Sequence, residues 1–286
     1  MNVDTTVRVV RRAARRGTRE ARQAVLDATF AVQARHQRVG LPPLEGEAQR
    51  IVAALQRGEA AAAGLDELKF GTTAEMERVG RQILADMAEE PRLASEVRGP
   101  RIRTATAVPA LRAWALEPQM LAIASNYIGS PAVFQGVHAR IDPVSSAQDL
   151  TELWHRDGED RRMLKAFVYF HDITIDHGPF EYVVDSELDK GLRRRILGGI
   201  RDAERNGRLG LDDDEMAALV PRSQWRNGEV PGRTALFADP TAFFHHGRLR
   251  TKARSSLFFV YTSAFPREPG HCRQYWDDTF PAPTGF

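Results

Sequence analysis

The stretch Trp154-His155-Arg156-Asp157, closely followed by the apolar run Leu164–Phe170, decides how the rest of the chain is read. His155 and Asp157 stand two apart, so on an extended backbone their side chains point to one face. The run Lys165-Ala166-Phe167-Val168-Tyr169-Phe170 is aromatic and β-branched, the composition of a buried strand. Further on, Phe243-Phe244-His245-His246-Gly247 supplies histidine in strand-like surroundings, and Arg254-Ser255-Ser256-Leu257-Phe258-Phe259-Val260-Tyr261 opens another strand on a basic residue. Two histidines and one carboxylate on rigid strands, with coordination positions left open, make the facial triad of non-haem Fe(II) oxygenases. Alone, His-x-Asp is a weak signal, because a histidine beside a carboxylate is more often an ordinary hydrogen-bonded pair. The order of the flanking motifs carries the weight.

That order runs Trp154, His155 and Asp157, then Ala166–Asp172, His177-Gly178-Pro179-Phe180, Leu236-Phe237, His245-His246-Gly247 and Arg254. Over about residues 115–265 the series resembles the phytanoyl-CoA dioxygenase family of Fe(II)/2-oxoglutarate oxygenases. The resemblance implies an α+β protein with a mainly β core, a double-stranded β-helix of jelly-roll, cupin-like form. It also implies Fe(II) held by His155, Asp157 and His245, with 2-oxoglutarate and O₂ as cosubstrates. Within His-x-Gly it favours His245 over His246, and neighbours on a strand face opposite sides, so only one of them enters the barrel. Arg254 would fork onto the distal carboxylate of 2-oxoglutarate. Ser256, two residues on, would add a hydroxyl, and Phe167 would pack beside the cosubstrate. Lys165 is a second candidate for that carboxylate. The implied reaction hydroxylates an unactivated C–H with release of succinate and CO₂. Related halogenases replace the carboxylate ligand by a small residue, and Asp157 argues against that chemistry. One departure from the family is Val184-Asp185-Ser186-Glu187, where a Pro-Gly-Ser-His segment is usual.

Composition agrees with an enzyme of this kind. A chain of 286 residues, 42% hydrophobic, fits one domain with a sizeable core. A formal net charge of +2 argues against a dedicated nucleic-acid binder. The single cysteine, Cys272, leaves no intrachain disulfide and suits a reducing compartment. No apolar run reads as a signal peptide or membrane span, so a cytoplasmic protein is expected.

The organisation expected along the chain is a single domain over residues 1–286. Its first part, 1–130, is mostly helical and buttresses the sheet; the jelly-roll core follows over 131–286. The first 22 residues hold seven arginines against two acids, a local charge of +5. Such a run is a solvated helix face or an arm that docks an acidic partner, a carrier protein for example. Helices are expected across Glu20–Arg57 with a break at Gly40-Leu41-Pro42-Pro43, across Glu47–Leu65, Thr73–Leu93 and Ala107–Tyr127. In this reading Ala60-Ala61-Ala62-Ala63 is a close-packing helix face. Val133–Ile141 alternates like a strand, ended by Asp142-Pro143, with Gln135, His138 and Arg140 as minor substrate-contact candidates. A charged helical insert at about 187–228 is the expected lid, and Asp212-Asp213-Asp214-Glu215 opens a helix within it rather than binding metal.

Three functions compete on sequence grounds. The first is an Fe(II)/2-oxoglutarate hydroxylase of a small, possibly carrier-bound natural product, with a fatty acyl-CoA as the alternative substrate. The second is a zinc hydrolase using the same ligands and a bound water. The third is a non-catalytic jelly-roll binding protein in which His155 and Asp157 form a structural pair.

Overall fold

The computed structural model describes residues 40–91 and 99–276, with residue 17 and parts of 21–32 before them. The seven arginines of the basic arm lie outside the described residues. Between residues 40 and 130 the described helices are α1 (Gly46–Gln56), α2 (Thr73–Glu89), α3 (Pro109–Ala115) and α4 (Pro118–Ile128). Among the described residues the strands are β1 (Ala61–Gly64), β2 (Arg101–Thr104), β3 (Ala132–Asp142), β4 (Leu164–Tyr169), β5 (Phe180–Val184), β6 (Arg226–Asn227), β7 (Thr234–Ala238), β8 (Phe243–Gly247) and β9 (Arg254–Ser263).

They form two antiparallel sheets, a larger one ordered β1-β7-β4-β9-β3-β2 and a smaller one ordered β6-β5-β8. A paired bridge between His155 and His245 adds the His-x-Asp segment to the free edge of β8, with N–H to carbonyl distances of 2.9 and 3.0 Å. The chain therefore passes back and forth between facing sheets: β3 large, 154–155 small, β4 large, β5 and β6 small, β7 large, β8 small, β9 large. That winding is the double-stranded β-helix.

Period-two alternation sorts each strand between two cores. On β4, Ala166 and Val168 face outward into the main core, where Ile51 of α1, Met76 of α2, Trp114 of α3 and Ile123 of α4 meet Phe237 and Phe259. The helices thus back the larger sheet. Phe167 and Tyr169 face inward and join Phe180, Tyr182, Leu236 and Phe243 between the sheets.

Several local expectations are corrected. The alanine run is strand β1, pairing Ala61 with Phe237 and Gly64 with Thr234. Its helix ends at Gln56 because Gly58 takes φ +79, outside the helical region. Alanine's helix preference is a few tenths of a kcal/mol per residue; ladder pairing on the edge of β7 overrides it. The helix expected over Ala107–Tyr127 is two, separated at Leu116 and Glu117, because Pro118 starts afresh as a first-turn proline. β2 was not foreseen.

The insert carries α5 (Lys190–Arg205) and α6 (Asp213–Ala217). Asp212 caps α6 through Asp214 N and Glu215 N at 3.1 and 2.9 Å, the capping role expected of the acidic run. Ile196, Ile200, Leu211, Met216 and Val220 pack on Trp154, Val183 and Phe244, the outer side of the small sheet. Leu211 also exchanges backbone hydrogen bonds with Trp154 at 2.7 and 3.1 Å. In this arrangement the apolar stripe of α5 packs on the back of the small sheet.

β3 carries a bulge between Phe134 and Gly136, where φ is +148. A Cβ there would overlap the Tyr275 carbonyl and Thr106 Oγ1. Gly136→Ala is therefore expected to lower the denaturant midpoint by the equivalent of about 2 kcal/mol or more, and a midpoint within error of wild type would refute it.

Candidate metal centre and cavity

Strand pairing places the triad. Because His155 and His245 face each other across the bridge, their rings lie 4.4 Å apart between centroids. Asp157 is held two residues on by its N–H donating to the Pro240 carbonyl at 3.2 Å. Its Oδ1 lies 3.6 Å from His155 Nε2 and 3.7 Å from His245 Nε2. One donor atom from each of the three residues falls within 4.8 Å of the others.

The electrostatics suit a cation. Burial depresses both imidazoles, His245 to about 3 with the neighbouring His155 adding to the effect. Both rings are neutral at pH 7 and each keeps a lone pair. His155 Nδ1 lies 2.6 Å from the Leu153 carbonyl, which fixes that nitrogen as the N–H and leaves Nε2 to point at Asp157. Burial pushes the Asp157 carboxyl up, but Lys165, His245 and His155 outweigh it and hold it well below the usual range. Lys165 Nζ donates to Asp157 Oδ2 at 2.5 Å and lies 3.6 Å from Glu159 Oε1. One carboxylate oxygen is thus neutralised by lysine while the other faces the two histidines. Two neutral imidazoles and a carboxylate oxygen fit a divalent transition metal with open positions.

The triad borders a cavity of about 100 Å³ between the sheets, which Phe167, Tyr169, Phe180 and Phe258 line on the way to Arg140 and Arg254. Phe167 and Phe258 meet edge to face at 4.5 Å. The triad sits at the middle of β8 and, through Lys165, at the start of β4, whereas Arg254 opens β9 and pairs with Asp142 at the end of β3. Asp142 is fully buried and joins both arginines: Oδ1 accepts from Arg140 Nε at 2.8 Å, and Oδ2 accepts from Arg254 Nη2 at 2.9 Å. Arg254 Nη1 donates to the Gly178 carbonyl, and Arg140 Nη2 donates to Thr151 Oγ1 at 3.0 Å.

Of the residues chosen from sequence, His155, Asp157, His245, Phe167 and Arg254 all line this cavity. Ser256 does not reach the lining, although its buried Oγ has no partner among the described residues. Lys165 lies at the triad end, on Asp157. Among Gln135, His138 and Arg140, only Arg140 lines the cavity; Gln135 bonds Thr262 and His138 bonds the Gln274 carbonyl. Asp142 was missed, having been read as a strand stop before Pro143. Its spacing from Arg140, two residues along one strand, was the available signal.

His246 also touches the cavity edge, but its ring is on the outer side of β8. It stacks on Trp154 at 4.1 Å, with Nε2 2.8 Å from Glu181 Oε2 and Nδ1 3.0 Å from the Glu152 carbonyl. Among the described residues no helix is long and apolar enough to cross a membrane.

No protein-family model matches the sequence, and no curated protein sequence matches it. Solved structures do. The non-heme alpha ketoglutarate dependent epimerase SnoN from nogalamycin biosynthesis is 16% identical with a TM-score of 0.52, covering 82% of this chain and 93% of its own. EctD from S. alaskensis, in its apoform, is 17% identical with a TM-score of 0.50, covering 75% of this chain and 76% of its own. Identities this low speak to architecture: the chain has the jelly-roll, cupin-like double-stranded β-helix fold that SnoN and EctD share.

Proposed function

We propose that the chain is a non-haem Fe(II)- and 2-oxoglutarate-dependent oxygenase that hydroxylates an unactivated C–H of a small molecule, as a tailoring step on a natural product. The observation that carries the reading is the convergence of His155, Asp157 and His245 at one end of a cavity whose other end presents Arg254. SnoN also has a structure with Fe3+, alpha ketoglutarate and nogalamycin RO at a TM-score of 0.50, so the fold accommodates this cofactor set. SnoN is an epimerase, so hydroxylation is the finer part of the proposal.

In this reading His155, Asp157 and His245 would hold Fe(II), with the two imidazole Nε2 atoms and Asp157 Oδ1 facing one another. When bound, Fe(II) with 2-oxoglutarate and O₂ supplies oxidation of a C–H coupled to decarboxylation of 2-oxoglutarate to succinate and CO₂. Arg254 receives the distal carboxylate of 2-oxoglutarate through its guanidinium fork, with Arg140 beside it. Asp142 holds both arginines in place without quenching either, since one carboxylate serves two cations. Phe167 and Phe258 form a dry wall along the cosubstrate and exclude water from its length. Lys165 keeps Asp157 ionised by donating to its Oδ2.

The test is anaerobic titration of the metal-free protein with Fe(II) and 2-oxoglutarate, followed by the weak visible charge-transfer band. Wild type is expected to show the band, and His155→Ala and Arg254→Ala to lose it. No band in wild type, with zinc retained in place of iron, would replace the oxygenase reading by that of a hydrolase.

A further inference from the structure

A second, larger cleft lies against the metal site. It measures about 530 Å³, and five of its lining residues are arginines: Arg57, Arg156, Arg161, Arg162 and Arg193. Its lining carboxylates are Asp185 and Asp239. The cleft occupies the triad's end of the sandwich, where β5 hands over to Asp185, β7 hands over to Asp239, and Arg161 and Arg162 lead into β4. The β7–β8 turn separates the two spaces: Pro240 lines the metal cavity, whereas Asp239 and Thr241 line the cleft. Arg156, between two triad residues, turns outward, lies 5.3 Å above the Phe244 ring and donates to the Thr241 carbonyl.

Surface arginines usually sit over aromatic rings with their charge in water, and that would be the plain account here. Four observations point to a ligand instead. Asp185 is shared by two guanidinium groups, at 2.9 Å from Arg193 and 3.6 Å from Arg156. Asp239 is turned to other partners, accepting from Tyr127 Oη at 2.6 Å and Thr241 Oγ1 at 2.6 Å. Arg162 contacts only the Tyr127 carbonyl, at 3.4 Å, and the Tyr127 ring; no carboxylate of the described residues pairs with it. Arg161 is paired with Asp27 and Asp160, yet its Nη2 is buried with no acceptor among the described residues. Five arginines line the cleft; Arg57 is paired with Glu59, Arg161 with Asp27 and Asp160, and Arg156 and Arg193 share Asp185, which leaves Arg162 without a carboxylate among the described residues. A tetrahedral dianion provides several acceptors at once, and arginine forks match it.

We propose that this cleft binds a phosphoryl group, so that the substrate is a phosphorylated small molecule whose remainder passes the β7–β8 turn into the metal cavity. The proposal names a substrate class for the oxygenase reading and rests on it for the word substrate, but the anion site stands on its own geometry. Arg162 is the fork most free to engage, and Arg193 is exposed beside it with its charge shared with Asp185.

Calorimetric titration of the metal-free full chain at low salt with pyrophosphate and with inorganic phosphate tests it. Saturable binding is expected in wild type, weakened about tenfold by Arg162→Ala or Arg193→Ala. Arg193→Lys, which keeps charge but loses the fork, is expected to be intermediate. Arg78→Ala, on the exposed face of α2, controls for overall charge and is expected to bind as wild type does. Thermal melts confirm that each variant folds. Glycerol phosphate against glycerophosphoglycerol separates a free monoester from a diester arm, and binding of either supports the phosphoryl site. No binding of any phosphoryl probe by folded wild type would overturn the proposal. So would sulfate binding as tightly as pyrophosphate, or equal loss in Arg78→Ala. The wild-type charge-transfer band is measured separately: phosphoryl binding without the band retires the oxygenase reading alone, and the band without phosphoryl binding retires the cleft alone.

Discussion

Replacing Asp142 with alanine is expected to cost about 3–5 kcal/mol of stability, the range for breaking a buried ion pair from one side. The carboxylate has no solvent exposure and is the shared acceptor of Arg140 and Arg254, so its loss leaves two cations in a dry cavity with no counterion. The cost has a pH signature. Burial pushes the Asp142 carboxyl up, but Arg140, Arg254 and Arg250 outweigh it and hold it well below the ordinary carboxylate range. A folded value below the unfolded one gives stability that is full above the unfolded pKa of about 4 and lost as pH falls through the folded value. The gap between wild type and Asp142→Ala in denaturant melts is therefore widest near neutrality and narrows in acid. A gap that is constant from pH 7 to 3 would show that the ion pairs contribute nothing.

Asp142 acts on the site through its arginines, so stability is only half of the expectation. With Arg254 no longer held between Asp142 and the Gly178 carbonyl, 2-oxoglutarate affinity should fall while Fe(II) affinity is kept. A purely structural residue would lower both together. Asp142→Leu combined with Arg254→Met, which replaces the pair by apolar groups, is expected to regain part of the stability and none of the 2-oxoglutarate binding.

How far such a pair could be seen in the sequence depends on range. The strands were legible because their signals are local: Lys165–Phe170 is aromatic and β-branched, Val133–Ile141 alternates, and each is a strand. The triad was legible because its spacing is set by one extended segment and one His-His step. Asp142 and Arg254 are 112 residues apart, and nothing near either one announces the other. Lys165 was likewise assigned by its face alone, whereas its partner depends on where the loop after Trp154 returns. The alanine strand failed for the opposite reason: its local preference is clear, and an edge position beside β7 reversed it. The insert was read as a lid because it connects strands, and its packing was not legible: Ile196, Ile200 and Met216 are buried against Trp154 and Phe244, a contact that no local pattern announces.

The adjacent histidines give the sharpest separation of metal binding from folding. His245→Ala removes one of three donors from the centre, and Fe(II) affinity is expected to fall by more than about 100-fold, beyond the range typical of outer-shell changes. His246→Ala is expected to do the reverse. Its ring is fully buried, stacked on Trp154 and bonded to Glu181, which is itself 4% exposed. Truncation leaves that carboxylate with only Arg248 at 3.4 Å and opens a cavity under Trp154, for a loss of about 2–4 kcal/mol. The protein that remains folded should still bind one Fe(II) per chain, because His246 faces away from Asp157. Metal content after gel filtration, read beside the melting curve of each variant, checks both halves. Metal kept in His245→Ala and lost in a folded His246→Ala would mean that β8 is paired one residue out of register. A one-residue slip exchanges the two faces of the strand and with them the third ligand.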